Sequence, residues 1–289
     1  MIVIKQHEDV TEFKAAKTIM GRPIYKTHFY YLNGLLIDTG PYHIAGEVIE
    51  ALQDFPPEKV AITHQHEDHT GNCKRINEEF GAPIYAQPEA ADILANPPEI
   101  EIYRKIMWGG APAFKIHPLQ NYLELGDYRL QVIHTGGHSS DHTCYFEPQN
   151  RWLFAGDFYL GENLNGFMVG ENIVEHLTGL KKLIALEPRI IFCGLKGHLA
   201  NAKERLMRKY ISWWNICCEV KELHKAGKPR DKILAEVFGG EIIFYYFSQN
   251  NWGRRFMLDN ILENLDYFDE IRNATPEDCL KQYNGNRAN

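Results

Sequence analysis

The sequence has no long apolar run. Nowhere do its hydrophobic residues approach the roughly 20 in succession that a membrane-spanning helix needs, so no membrane span is expected. The opening segment, MIVIKQHEDV, has four apolar residues before charge begins and does not read as a signal peptide. The six cysteines, Cys73, Cys144, Cys193, Cys217, Cys218 and Cys279, follow neither disulfide nor zinc-finger spacing. Reduced thiols in a cytoplasmic protein are the expectation. Excess positive charge is missing too. Thirty-one Lys and Arg stand against 38 Asp and Glu, a net charge of −7. That gives no global attraction to nucleic acid or anionic membrane and suits an enzyme for small molecules. No internal repeat or low-complexity tract occurs.

What is present is an ordinary globular composition, 44% hydrophobic and 24% charged over 289 residues. The chain is long enough for one large domain or for a domain with an appendage. Up to about residue 200, β-rich runs alternate with helical spacing, an α/β pattern. HFYYLNGLLIDTG reads as a hairpin turned at Asn33-Gly34. GNCKRINEEFG reads as a helix stopped at Gly81. Beyond residue 200 the pattern becomes helical, beginning with NAKERLMRKYISWWNICCEVKELHKAG. The expected division is therefore 1–200 and 201–289. The first part holds 17 basic and 25 acidic residues, so nearly all the negative charge lies there. The aromatic clusters SWWN and FYYFSQNNW are too apolar for a free tail, and residues Tyr245 to Trp252 are candidates to wall a substrate site. The last residues, NGNRAN, are expected to fray.

Histidines and acids collect where strands end. THQHEDHTG follows the apolar run VAI and places His64, His66, Asp68 and His69 within six positions. Two residues apart on an extended chain, His64 and His66 point the same way. His138 follows two glycines after YRLQVIHT. Asp157 ends WLFAGD, Asp38 follows LLI, and His198 lies beyond RIIFCG. Buried ionisable groups are costly unless something satisfies them, and a metal would. His134 and His142, flanking the His138 loop, read as packing residues or as residues that support the ligands from behind. His7, His28, His43, His117, His176 and His224 have no recognisable partner.

This set resembles the metallo-β-lactamase superfamily of hydrolases, whose signature is His-x-His-x-Asp-His, then a His, an Asp and a final Gly-His. His64, His66, Asp68, His69, His138, Asp157 and His198 match it in order, over residues 1 to 200. Two departures stand out. Thr135-Gly136-Gly137-His138 replaces the usual Thr-Pro-Gly-His, and Lys196-Gly197-His198-Leu199 replaces Pro-Gly-His-Gly.

The resemblance implies a four-layer αββα sandwich with a helical, winged-helix-like C-terminal region. It implies two divalent ions, zinc first, with manganese or iron also accepted by these ligands. His64, His66 and His138 would hold one ion, Asp68, His69 and His198 the other, with Asp157 bridging and Asp38 nearby. A bridging hydroxide would attack a small acyl substrate, a thioester first and a lactone or β-lactam next, with Asp68 passing the proton. A nuclease of the lactamase-β-2-like group fits less well, because the stretch from Asp157 to His198 is too short for the large inserted domain of the RNA-processing branch. An iron-dependent persulfide dioxygenase is the redox alternative. The oligomeric state, homodimer included, stays open.

Overall fold

A computed structural model of the protein describes residues 1–19, 22–163 and 166–270. The tail expected to fray and Cys279 lie outside the described residues. Two compact units are present. The first comprises Met1–His134, Asp141–Leu160 and Pro188–Ala202; the second comprises Thr135–Ser140, Gly161–Glu187 and the described part of Lys203–Asn289.

The first unit holds two sheets. Strands β1 (Ile2–His7), β2 (Val10–Ile19), β3 (Arg22–Leu32), β4 (Leu35–Ile37), β5 (Lys59–Ala61), β6 (Ile84–Ala86) and β7 (His117–Pro118) lie in that order. Pairing is antiparallel through β4 and parallel from β4 to β7. Asn33 and Gly34 both take positive φ, 45° and 84°, between the paired Leu32 and Leu35. This is the two-residue I′ turn expected of that dipeptide. The second sheet runs β14 (Gly197–Ala200), β13 (Ile190–Cys193), β11 (Trp152–Gly156), β10 (Thr143–Glu147), β9 (Tyr128–His134) and β8 (Tyr122–Leu125). Within it β11 and β13 are parallel.

Helices α1 (Ala45–Leu52), α2 (Glu67–Thr70), α3 (Cys73–Phe80), α4 (Ala91–Ala95) and α5 (Ile102–Met107) complete the unit. Val48 and Leu52 of α1 and Ile76 of α3 pack with Phe13, Phe29, Leu36 and Val60 on one face of the first sheet. On its other face Leu32, Leu35, Ile37 and Ala61 pack with Leu130, Tyr145, Phe154 and Phe192 of the second sheet. Strand β4 is thus covered on both sides, which is why Leu35-Leu36-Ile37 is apolar throughout instead of alternating. Each such side chain contributes about 1.5–3 kcal/mol by leaving water.

The second unit is mainly helical. It contains α6 (Ile173–Ile184), α7 (Ala202–Lys225), α8 (Arg230–Phe238), α9 (Ile243–Phe247), α10 (Arg254–Glu263) and α11 (Leu265–Glu270). Strand β12 (Phe167–Met168) pairs with β15 (Trp252–Gly253), and Ile173 N–H donates to Asn260 Oδ1 at 2.8 Å. These ties draw residues 161–187 in with the C-terminal helices, so the units do not divide at a single cut near residue 200. Trp213 and Trp214 of the SWWN cluster are buried, but Tyr246 and Phe247 are 68% and 60% exposed. No described helix is long and apolar enough to cross a membrane.

Candidate metal centre

In the first unit, the ends of β4, β5, β11 and β13 converge. Thr63, just past β5, donates its N–H to Asp38 Oδ1 at 2.8 Å and its hydroxyl to Asp38 Oδ2 at 2.8 Å. Asp38 Oδ2 also lies 2.8 Å from His69 Nδ1. That contact fixes the buried ring and turns Nε2 the other way, the arrangement in which a carboxylate orients a metal-binding histidine. His69 Nε2 meets no hydrogen-bond partner of ordinary geometry among the described residues. Asp157 Oδ1 and Asp68 Oδ2 stand 3.4 and 3.6 Å from it. His64, His69 and Asp157, all buried, bring ligand atoms within 4.8 Å of one another. His66 Nδ1 is 2.9 Å from His64 Nε2.

The electrostatics are those of a place short of positive charge. Burial pushes the Asp68 carboxyl up, His69 draws it back and Asp157 raises it again, leaving it at about 6. Burial opposes charge on His69, yet the carboxylates of Asp68, Asp38 and Asp157 override it and raise the ring well above its ordinary value. Three buried acids around one imidazole, with an aligned but unsatisfied nitrogen, fit a divalent cation bound through nitrogen and oxygen.

Tyr25 of β3 escaped sequence reasoning. Its hydroxyl donates to Asp68 Oδ2 at 3.0 Å, and burial, together with Asp68 and Asp157, pushes the phenol well up, so it stays protonated. Nothing in the local sequence marks it, since its partner lies 43 residues away. His142 is buried beside the cluster, its ring 5.0 Å from that of His64 and 5.7 Å from Phe158.

His138 belongs to the second unit. Its loop is pinned by Gly137 N–H donating to Glu175 Oε2 and by Asn172 N–H donating to Gly137 O, both at 2.8 Å. Glu171 Oε1 lies 3.5 Å from His138 Nδ1, and Glu171 Oε2 lies 3.2 Å from His176 Nε2. Burial disfavours the Glu171 charge, but His138 and His176 outweigh it and hold the carboxyl down at about 2. Neither Glu171 nor His176 was expected to take part.

His198 requires a correction. It lies within β14, paired with Phe192, not in a loop at the strand end. Its ring stacks on His7 at 4.2 Å with an interplanar angle of 5°. His7 Nε2 and His28 Nδ1 each lie 2.5 Å from an oxygen of Glu12. The residue that closes on the centre is Gly194. A Cβ there would come within 2.5 Å of Asp157 Oδ1 and 2.7 Å of His69 Cε1, whereas one on Gly197 would meet Glu12 and His28. The ladder from Ile190↔Ala200 to Cys193↔Gly197 fixes this register, so the later glycine and its histidine face the Glu12 cluster.

The fold and donor set together define a class, and comparison with known proteins agrees. The model of the Metallo-beta-lactamase superfamily matches residues 33–194, more than half of the chain. The chain belongs to this superfamily of hydrolases, as its strand-end motif leads one to expect. It is 30% identical over 174 residues to the Beta-lactamase-like protein 2 homolog of Drosophila melanogaster, covering 55% of this chain and 53% of that one. It is 29% identical over 182 residues to Thioesterase pkgB of Emericella nidulans, covering 62% and 46%. The chain thus spans about half the length of these two relatives. A metallo-beta-lactamase family protein from Thermus thermophilus shares the fold with a TM-score of 0.63 at 19% identity, over 92% of this chain and 96% of that one.

Proposed function

We propose that the protein is a metal-dependent hydrolase of small acyl substrates, a thioester first. The observation that carries this reading is the buried His69 Nε2, directed between Asp157 and Asp68 with no hydrogen-bond partner among the described residues. His64, His69 and Asp157 would hold one ion, with His66 beside His64. Asp68 would serve a second position, with Asp157 shared between the two. Zinc suits this donor set best, with manganese or iron as alternatives. A divalent ion held there would lower the pKa of a water from 15.7 to about 7 and would polarise an acyl carbonyl.

The chain's own groups do the rest. Asp38 holds His69 in one tautomer through the 2.8 Å contact at Nδ1. Tyr25 anchors one oxygen of Asp68, which leaves that carboxylate oriented to take a proton from the attacking water and hand it to the leaving sulfur. In the second unit Glu171 faces His138 Nδ1 and helps fix the orientation of that ring.

The name of the Emericella relative supports a thioester over a lactone or β-lactam. A small molecule is the partner of this reading. The acidic balance of the first 200 residues argues against nucleic acid. One observation favours a second reading, an iron-dependent persulfide dioxygenase: with His198 turned away, the ligand set is smaller and resembles a single-iron site. The test is turnover of a panel of thioesters, lactones and a β-lactam before chelation, after it, and after restoring zinc, manganese or iron. Thioester cleavage lost on chelation and regained with zinc or manganese is expected. No cleavage of any member by metal-restored protein would overturn the reading, and oxygen uptake by iron-restored protein supplied with a low-molecular-weight persulfide would establish the second.

A further inference from the structure

Two glycine-led turns, three residues apart, compete for the same role at the end of β13. The superfamily motif ends in a glycine followed by a histidine, and Gly197-His198 carries the matching letters. The glycine packed against the metal centre is Gly194, and the residue after it is Leu195, which has no donor atom. Bringing His198 to the centre would require dissolving the four paired positions between β13 and β14, together with the stack on His7. The two glycines are not interchangeable either. Gly194 N–H donates to Gly156 O at 2.7 Å and Gly194 O accepts from His28 N–H at 2.6 Å, which locks it between β11 and β3.

We infer that the second cation position lacks a protein ligand at Leu195, so that this chain holds one divalent ion tightly and a second only weakly. The inference rests on the metal-centre reading above. What remains near the second position is Asp68, Asp157 and the protonated hydroxyl of Tyr25. A neutral phenol already donating to Asp68 is a poor substitute for an imidazole, because it brings no free lone pair of comparable basicity. Asp157 is shared with the tight position, which His64 and His69 complete.

The test is metal content per chain by elemental analysis after equilibration with buffered zinc and removal of loose metal, paired with a competition titration against a chromophoric chelator. Wild-type protein should retain about one ion and show one tight step. His198→Ala should retain the same single ion, since that ring touches His7 and not the centre. Leu195→His should rise to about two ions with a second tight step. Two tight ions in wild type, or loss of an ion in His198→Ala, would overturn the inference, and so would a folded Leu195→His that stays at one. If Leu195→His fails to fold, the wild-type and His198→Ala titrations decide alone. Metal content is read without reference to turnover, so a chain that binds one ion and cleaves nothing would refute the hydrolase reading and leave this inference standing.

Discussion

Two buried histidine–carboxylate clusters lie in the first unit, and they differ in how their polar atoms are used. Around Glu12 the account is closed: one oxygen meets His7, the other meets His28, each at 2.5 Å, and His198 covers His7. Around His69 it is open. Three carboxylates, Asp38, Asp68 and Asp157, face one ring, and its Nε2 is left without a hydrogen bond among the described residues. Both clusters combine the same residue types, although His7 is 22% exposed and His69 fully buried. Histidines and acids side by side therefore do not make a metal site; donors left over after the protein has satisfied itself do. The first cluster holds strands together, and the second has the donors to fit a cation.

The sharpest way to break this comparison is to remove a donor from the open cluster. Asp157→Ala should lower metal retention and turnover by more than about 100-fold, beyond what loss of a merely supporting partner costs. The metal-free variant should melt no lower than the metal-free parent, because one of three mutually repelling buried acids is gone. Paired metal analysis, kinetics and melting curves check both halves. Asp38→Asn, which disturbs the tautomer of His69 while leaving the donors, should weaken metal binding by about 10–100-fold, read by chelator competition.

The closed cluster should respond in stability and not in metal content. Glu12→Gln removes a charge that two histidines share and should cost about 3 kcal/mol in denaturant unfolding, with metal content unchanged. Its pH dependence follows from the sign of the shift. Burial alone would raise the Glu12 carboxyl, but hydrogen bonds from His28 and His7 outweigh it and hold the group below its ordinary 4.5. A depressed folded value means the stabilisation is fully present above 4.5 and is lost as pH falls through the folded value. The stability gap between wild type and Glu12→Gln should thus be constant near neutrality and narrow below about pH 4. The smallest effect belongs to His198→Ala, which loses a stacked ring pair and should cost about 0.5–1.5 kcal/mol in the same unfolding assay.

The parts of this site that could be read in the sequence are those that share one strand end. His64, His66, Asp68 and His69 fall within six residues, so the spacing alone carries them. Asp157 was legible because an apolar run stops at Gly156-Asp157. The error at His198 came from two glycines, both at plausible distances from a strand end. Which of them meets the centre depends on a hairpin register held by packing of Phe192, and that is not local information. Tyr25, Glu12 and Glu171 went unnoticed for a related reason, since each acts through partners that no spacing rule connects to it. Strand β1 was missed because its pattern misleads: Val3 and Ile4 are both exposed, so the run has no apolar face to read.

Crystals grown with zinc and measured on both sides of the zinc absorption edge would test the central claim most directly. The account predicts an anomalous peak among His64, His69 and Asp157 and none beside Glu12. A peak between His7, His28 and Glu12, or a metal-loaded crystal with no peak at His69 Nε2, would contradict it.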